Sequence, residues 1–329
     1  MRIVQFMASE KWGGAEKVFV QLANGLADTN EVYALLLRDT DYAWRFAPGV
    51  KIIELNSHPT THNPFLVWEI LTILKDLRPD LVHTHAVKAS LLIWRVSRFL
   101  SIKHLATKHN ARKGKIFNRL PWVSVVSEDA RKSVRPRKST AVVKTIHNGI
   151  EPKMVAGEPP ASHFHMTAVG RLDAIKGFDA LIDQVRNLTF PFVLDIVGEG
   201  PEQQALSAQI QRDNLENRVH LCGFCEDVPQ RMRSSHLVVI SSVSEGFPQV
   251  LVEALFYANV LISAPVGGVT EVLPDLFLTD RHNLGRKVED VYRRYSHYRS
   301  EFAKLQRERA DDFLLSGILA QYENYYKEI

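Results

Sequence analysis

The stretch SSVSEGFPQVLVEALFYANVLISAPVGGVTEV, residues 241–272, decides how the chain is read. An apolar, β-branched run from Leu237 to Ile240 precedes it and predicts a buried strand. Small polar residues end that strand and Gly246 permits a turn. Pro248 stands where a first helical residue belongs, because its missing N–H costs nothing there and its φ is already helical. The spacing predicts a helix from Pro248 to about Ala258. Such a strand, loop and helix start aims backbone N–H groups at whatever lies above the sheet, which makes an anion site. Two carboxylates flank it, Glu245 in the loop and Glu253 in the helix. Eight positions apart, they reach different parts of one bound molecule and do not form a close acid–base pair.

Outward from this stretch the chain alternates strands and helices in both halves, the pattern of two doubly wound α/β domains with a ligand crevice between them, at the carboxyl ends of the strands. Its 329 residues suffice for two cores, and 45% hydrophobic with 24% charged residues is a soluble globular composition. No signal peptide or spanning helix is evident, so a cytoplasmic protein is expected. Asn148-Gly149 is a turn signal and residues 152–160 hold three prolines and a glycine, which sets a domain boundary near 152. The expected division is 1–152, 153–309, and a last helix over 310–329.

Charge is unevenly placed. Residues 1–152 hold 23 Lys/Arg against 13 Asp/Glu, net +10, and the remainder 18 against 24, net −6. From Lys88 to Lys144 fifteen basic residues face only Glu128 and Asp129. Such a field attracts anionic partners, whether phosphorylated sugars, anionic lipid or nucleic acid.

Two further loops have phosphate-approach geometry. After the first strand, Met1 to Met7, comes Trp12-Gly13-Gly14-Ala15-Glu16, but no G-x-G-x-x-G, so a nicotinamide enzyme has little support. After the strand Met166 to Val169 comes Gly170-Arg-Leu-Asp-Ala-Ile-Lys-Gly177, in which Arg171 and Lys176 are two fixed cations suited to a diphosphate. Metal readings are weaker. Asp39-x-Asp41 is a chance-level match, and His83 and His85, on one face of a strand, lack a third ligand. Cys222-x-x-Cys225 with His220 upstream has no second ligand cluster and does not open a helix after a first strand, so it reads as structural.

Taken together, Glu245-x7-Glu253 around Gly246-Phe247-Pro248-Gln249, the Gly267-Gly268-x-x-Glu271 run, Gly170-Arg171-Leu-x3-Lys176-Gly177 and Trp12-Gly13-Gly14 resemble the signature of glycosyltransferase family 4, retaining enzymes of GT-B fold. The resemblance weakens at Ala258-Asn259-Val260, where the family usually has Gly and Pro, and after Glu271. It implies two Rossmann-like domains facing a central cleft, the first binding the acceptor and the second a UDP-, GDP- or ADP-sugar, with no metal. It assigns the diphosphate to Arg171 and Lys176, the sugar hydroxyls to Glu245 and the ribose to Glu253. Gly13, Gly14, Gly170, Gly198, Gly223, Phe224, Gly246, Phe247, Pro248 and Gln249 complete the donor site. His109, at the end of a strand, matches the histidine that lies under the donor sugar. Glu16, His83, His85, Lys88, Arg112 and Lys113 are placed on the acceptor side, and the last helix crosses back to the first domain.

On this reading the chain transfers a sugar to a glycan or lipid-linked acceptor in cell-surface polysaccharide, lipopolysaccharide or glycolipid synthesis, in the cytoplasm or peripherally on the inner face of the plasma membrane, without nucleic acid. A nucleotide-sugar epimerase, a phosphorylase and a non-catalytic sugar- or lipid-binding component stay open at this point.

Overall fold

The computed structural model describes residues 1–112 and 114–329. They divide into two compact units, Met1–Gly149 with Leu315–Ile329, and Ile150–Leu314. The chain thus leaves the first unit after Gly149, where the sequence reading set the change at 152.

The first unit runs β1 (Arg2–Met7), α1 (Gly14–Leu26), β2 (Glu31–Leu37), β3 (Val50–Leu55), α2 (Pro64–Leu77), β4 (Leu81–His85), α3 (Ala86–Val96), β5 (His104–Lys108), β6 (Trp122–Val125), α4 (Glu128–Lys132) and β7 (Val142–Thr145). Its parallel sheet has the order β3-β2-β1-β4-β5-β6-β7. Strand β3 was not expected from the sequence. It lies at the sheet edge with Lys51, Ile52 and Glu54 exposed, so it lacks the apolar run that marks a buried parallel strand. Helix α2 is capped by Asn63, whose side chain accepts from the Phe65 N–H at 3.0 Å, with Pro64 at the first turn.

The second unit runs β8 (Phe164–Val169), α5 (Phe178–Val185), β9 (Phe192–Val197), α6 (Gln203–Arg212), β10 (Val219–Leu221), α7 (Val228–Arg233), β11 (Leu237–Ile240), α8 (Gln249–Tyr257), β12 (Leu261–Ser263), α9 (Leu284–Arg293) and α10 (Tyr295–Arg309). The sheet order is β10-β9-β8-β11-β12, again parallel. Val238, Val239 and Ile240 in β11 are at most 5% exposed, as the apolar run predicts. Helix α8 starts one residue later than expected. Pro248 has ψ 133 and is the N-cap, because the chain is still extended as it leaves the loop.

The sequence also placed Tyr292, Tyr295, Phe302 and Leu305 in the core as one helical stripe. Arg294, at φ −118 and ψ 33, separates α9 from α10 without breaking the three-and-four spacing of the buried positions. Val288, Val291, Tyr298, Phe302 and Leu305 are buried and Tyr295 half-buried on that stripe, whereas Tyr292 lies off it, 41% exposed, and stacks on Phe190 with centroids 3.8 Å apart.

The chain ends in α11 (Leu315–Glu328), which belongs to the first unit. Ile318, Tyr322, Tyr325 and Tyr326 form one buried stripe in the same core cluster as Ile3, Phe19, Leu22 and Leu81. The helix begins at Leu315 and not near Ala310, since residues 310–313 form a 3₁₀ turn that buries Phe313. Tyr325 donates its hydroxyl proton to the carbonyls of Val123 and Val142 at 3.1 and 2.9 Å, tying α11 to β6 and β7.

One glycine of the second unit is indispensable to its sheet. Gly198 ends β9 with φ 141, and a Cβ there would stand 1.9 Å from the Gly170 carbonyl oxygen, which is backbone and cannot move aside. Gly198→Ala is expected to destabilise the protein by more than about 3 kcal/mol, strain and overlap adding. Denaturant unfolding measures it; a midpoint like that of the parent protein would contradict this account of the turn.

Candidate active site

In each sheet the strand order reverses at one place, between β1 and β4 in the first unit and between β8 and β11 in the second. The loops leaving such a pair diverge to opposite faces and open a crevice at the carboxyl ends of the strands.

In the second unit the diverging loops are 170–177 and 241–248. The Lys176 ammonium donates to Glu245 Oε1 at 2.7 Å, and the Ser242 hydroxyl donates to the same oxygen at 2.6 Å. The two charged side chains are 22% and 12% exposed, so the pair is mostly desolvated and each charge depends on the other. The lysine stem crosses Gly170, whose missing side chain makes room; a Cβ there would lie 3.1 Å from Lys176 Cδ and Cε. The loops are laced together by Ser241 Oγ donating to the Lys176 carbonyl at 2.8 Å and by the Val243 N–H donating to the Ile175 carbonyl at 2.7 Å. Gly177, at φ 65, permits this approach, since a Cβ would meet the Ser241 carbonyl oxygen at 2.5 Å.

Arg171 is exposed and its guanidinium forks onto Asp173 Oδ2 at 2.9 and 2.6 Å, so its charge is parked on a neighbouring carboxylate. Gly198 N–H donates to the Gly223 carbonyl at 2.8 Å, and Phe224 beside it is 51% exposed, with its N–H directed to Glu199 Oε1 at 3.3 Å. Glu253 is 6% exposed on α8. Both amide atoms of Gln249, in the first turn of α8, are buried with no hydrogen-bond partner among the described residues, an uncommon state for a polar group that a ligand would relieve. Phe247 differs from expectation. Its ring is buried and stacks on Phe313 at 5.6 Å.

In the first unit β1 leads to Gly13 and Gly14 at the start of α1. Glu16 reaches back over Gly13, where a Cβ would stand 2.9 Å from Glu16 Oε2. Strand β4 ends at His85, followed by Ala86 with φ 63, a left-handed conformation that a side chain adopts only under strain. His83 and His85 are both fully buried, which removes them from direct contact with a surface-bound acceptor. His85 Nδ1 instead lies 3.1 Å from His109 Nε2, edge to edge, with the ring planes 25° apart. His109 is half-buried, Lys88 half-buried and Arg112 exposed, while Lys113 lies outside the described residues.

Lys108, just before His109, was missed by the sequence reading. Its ammonium is buried and donates to the carbonyls of Asn110 and Arg112, both at 2.6 Å, and to Ser133 Oγ at 2.8 Å, clamping the loop after His109. Burial lowers its pKa to about 8. An alternating Lys at the end of a buried strand was the available signal.

Among the described residues no group of three His, Cys, Asp or Glu side chains is placed to hold a metal, and no helix is long and apolar enough to cross a membrane. Cys222 and Cys225 are free thiols on either side of the Arg231 guanidinium, at 3.7 and 3.3 Å from it.

Residues 12–153 match the family model described as Glycosyltransferase Family 4, and residues 163–293 that described as Glycosyl transferases group 1. One component of the human phosphatidylinositol N-acetylglucosaminyltransferase is 31% identical over 165 residues, 48% of this chain and 34% of that protein, so the chain spans about a third of its length. The lipopolysaccharide core biosynthesis glycosyltransferase LpsD of Rhizobium meliloti is 26% identical over 73% of this chain and 72% of its own. Among solved structures, Anabaena HepE in complex with UDP-glucose superposes with a TM-score of 0.87 at 22% identity over 99% of both chains. The fold is GT-B, with two Rossmann-like units. The chain belongs to glycosyltransferase family 4.

The histidines of the first unit set its response to acid. Burial lowers His104 to about 3 and His109 to about 4, and holds His83 and His85 well below the ordinary 6.5, with neighbouring histidines adding to the last two. Below pH 6.5 the unfolded chain binds protons that the folded chain refuses. Stability is therefore fully present above about 6.5 and is lost as pH falls through the folded values. Unfolding at pH 5 should take up about four protons from these groups. Calorimetry from pH 8 to 5 tests this, and a Tm that does not fall below pH 6.5 would refute it.

Proposed function

We propose that the chain is a retaining, metal-independent glycosyltransferase that moves a hexosyl or N-acetylhexosaminyl group from a nucleotide-diphosphate sugar to a glycan or lipid-linked acceptor. The observation that carries this reading is the Lys176–Glu245 pair at the point where the second sheet's strand order reverses. Departure of a nucleoside diphosphate leaves growing negative charge on phosphate and positive charge at the anomeric carbon. Lys176, Arg171 on release from Asp173, and the N–H groups at the start of α8 stabilise the first. Glu245, held on Oε1 by Lys176 and Ser242, stands beside the sugar and stabilises the second. Glu253 accepts from the ribose hydroxyls and the Gln249 amide finds its partner on the donor. His109 touches the donor sugar. The departing phosphate takes the acceptor's proton, so no protein nucleophile is required.

The first unit binds the acceptor, and its net positive charge suits a phosphorylated or lipid-linked one at an anionic surface. Glu16, Lys88, Arg112 and Lys113 are assigned to it. UDP-sugars are the first donors to screen, since HepE, of the same fold, is seen with UDP-glucose. Lipopolysaccharide core biosynthesis is the process named for LpsD, and lipopolysaccharide or other cell-surface polysaccharide synthesis is proposed here too.

Two experiments test the chemistry. Turnover should survive EDTA, because Arg171 and Lys176 supply the site's cations; loss of turnover that Mn²⁺ restores would sink metal independence. The glutamates should differ in kind. Contacts to ribose exist equally before and at the transition state, so Glu253→Ala raises the donor KM, while Glu245→Gln lowers kcat at near-normal donor affinity. Each effect should be on the order of 10- to 150-fold, the value of one charged hydrogen bond. The opposite pattern in initial rates would mean the nucleotide is placed wrongly along α8.

A further inference from the structure

We infer that Gln5, His83, His85 and Tyr326 are positioning residues that hold His109 as its Nε2–H tautomer and keep its Nδ1 a hydrogen-bond acceptor. They form one unbroken chain of hydrogen bonds inside the first unit, drawn from β1, β4 and the C-terminal helix α11 and continued into β5 and β6. Gln5, His83, His85, Thr107 and Ser124 are fully buried and Tyr326 is 2% exposed, so no water competes for these protons.

The polarity of the chain follows from the Gln5 amide. Its oxygen, Oε1, can only accept, and His85 Nε2 lies 2.9 Å from it, so His85 carries its proton on Nε2. A neutral imidazole has one proton, which leaves His85 Nδ1 with a lone pair. The 3.1 Å contact with His109 Nε2 is then a hydrogen bond only if His109 donates. Neutrality is enforced by burial, which holds both rings uncharged at physiological pH.

On the other side of the amide, Gln5 Nε2 donates to Tyr326 Oη at 3.2 Å and lies 3.3 Å from His83 Nδ1. His83 Nδ1 therefore bears a lone pair, and the Tyr326 hydroxyl donates to it at 2.7 Å. His83 Nε2–H donates to Thr107 Oγ1 at 2.6 Å, and Thr107 to Ser124 Oγ at 2.5 Å. From Tyr326 through His83 and Thr107 to Ser124, each donated proton meets an acceptor. To reverse His109 alone would leave two protons or two lone pairs facing each other in a dry interior, a cost no single partner can relieve. The amide and all the protons would have to turn over together, and the Tyr326 hydroxyl, more than three hundred residues from Gln5 in sequence, is the acceptor of the amide nitrogen in the observed arrangement.

The consequence rests on the reading that His109 touches the donor sugar. With Nδ1 as acceptor, His109 takes a hydrogen bond from a sugar hydroxyl and does not give one, so a donor lacking that hydroxyl, or bearing a fluorine there, loses the contact.

The test has a spectroscopic arm and a kinetic arm, both on the full chain. Two-bond ¹⁵N–¹H spectra of the ¹⁵N-histidine protein at pH 7.5 should show His109, identified by its loss in His109→Ala, as a single Nε2–H tautomer. Tyr326→Phe, which keeps the ring in the core and removes only the hydroxyl, should produce a mixture with Nδ1–H. Its kcat should fall roughly 5- to 50-fold with the donor KM within about twofold. Tyr322→Phe, which loses a hydroxyl that meets Thr107 at 3.4 Å and Ser124 at the end of the relay far from His109, should leave the His109 spectrum unchanged and serves as the control for packing. A His109 that is Nδ1–H in the parent protein, or a spectrum that Tyr326→Phe does not alter, overturns the inference. A single Nε2–H tautomer together with an active His109→Ala protein upholds the relay and refutes the placement of His109 at the sugar.

Discussion

Reversal of strand order within a parallel sheet governs where the chemistry of this protein can be placed. Parallel strands must be joined by crossovers that cover one face or the other, and where the direction of winding changes, two successive loops part and leave a crevice no helix can close. Both sheets have this point, at β1/β4 and at β8/β11, and many candidate residues hang from one of four loops, Gly13 and Glu16 after β1, His85 at the end of β4, Arg171 and Lys176 after β8, Glu245 after β11, while His109 follows β5 and Gly198 and Gly223 follow β9 and β10. Side chains widely separated in sequence, such as Lys176 and Glu245, meet there because the topology leaves them nowhere else to go.

The two units solve the burial of polarity differently. In the second, an ion pair is mostly desolvated yet stays at the edge of the fold, where Ser242 supplies the extra hydrogen bond that makes such a pair tolerable. In the first, three histidines and three tyrosines of the helix α11 sit among apolar side chains, and the polarity is neutral. A buried imidazole without a partner is costly, whereas a fully connected network rigidifies the ring orientations it contains. His104 shows the limit, with Nε2 bonded to Thr84 but Nδ1 buried and unpartnered among the described residues.

The C-terminal helix joins these themes. Its stripe of Ile318, Tyr322, Tyr325 and Tyr326 supplies apolar area to the first core and, through three hydroxyls, polar contacts to β1, β4, β5, β6 and β7. Tyrosine suits this use because a ring fills core volume while its hydroxyl finds a partner.

Whatever depends on neighbours along the chain was legible in the amino-acid sequence. Short apolar runs ended by glycine or small polar residues predicted β8, β9 and β11, and the loops 170–177 and 241–248 announced their cations, carboxylates and helix starts by local spacing alone. The signal failed where an element's environment is not local. The strand β3 is exposed at an edge, Tyr292 lies off the buried stripe that runs through Tyr298, Phe302 and Leu305, and the ring of Phe247 packs on Phe313. His83 and His85 read as polar residues at a strand end, and nothing near them in sequence shows that they are buried. Their burial was settled by tertiary packing, because exposure and hydrogen-bond partners are set by which strands and helices come to lie beside one another, here β1, β5 and a helix from the other end of the chain.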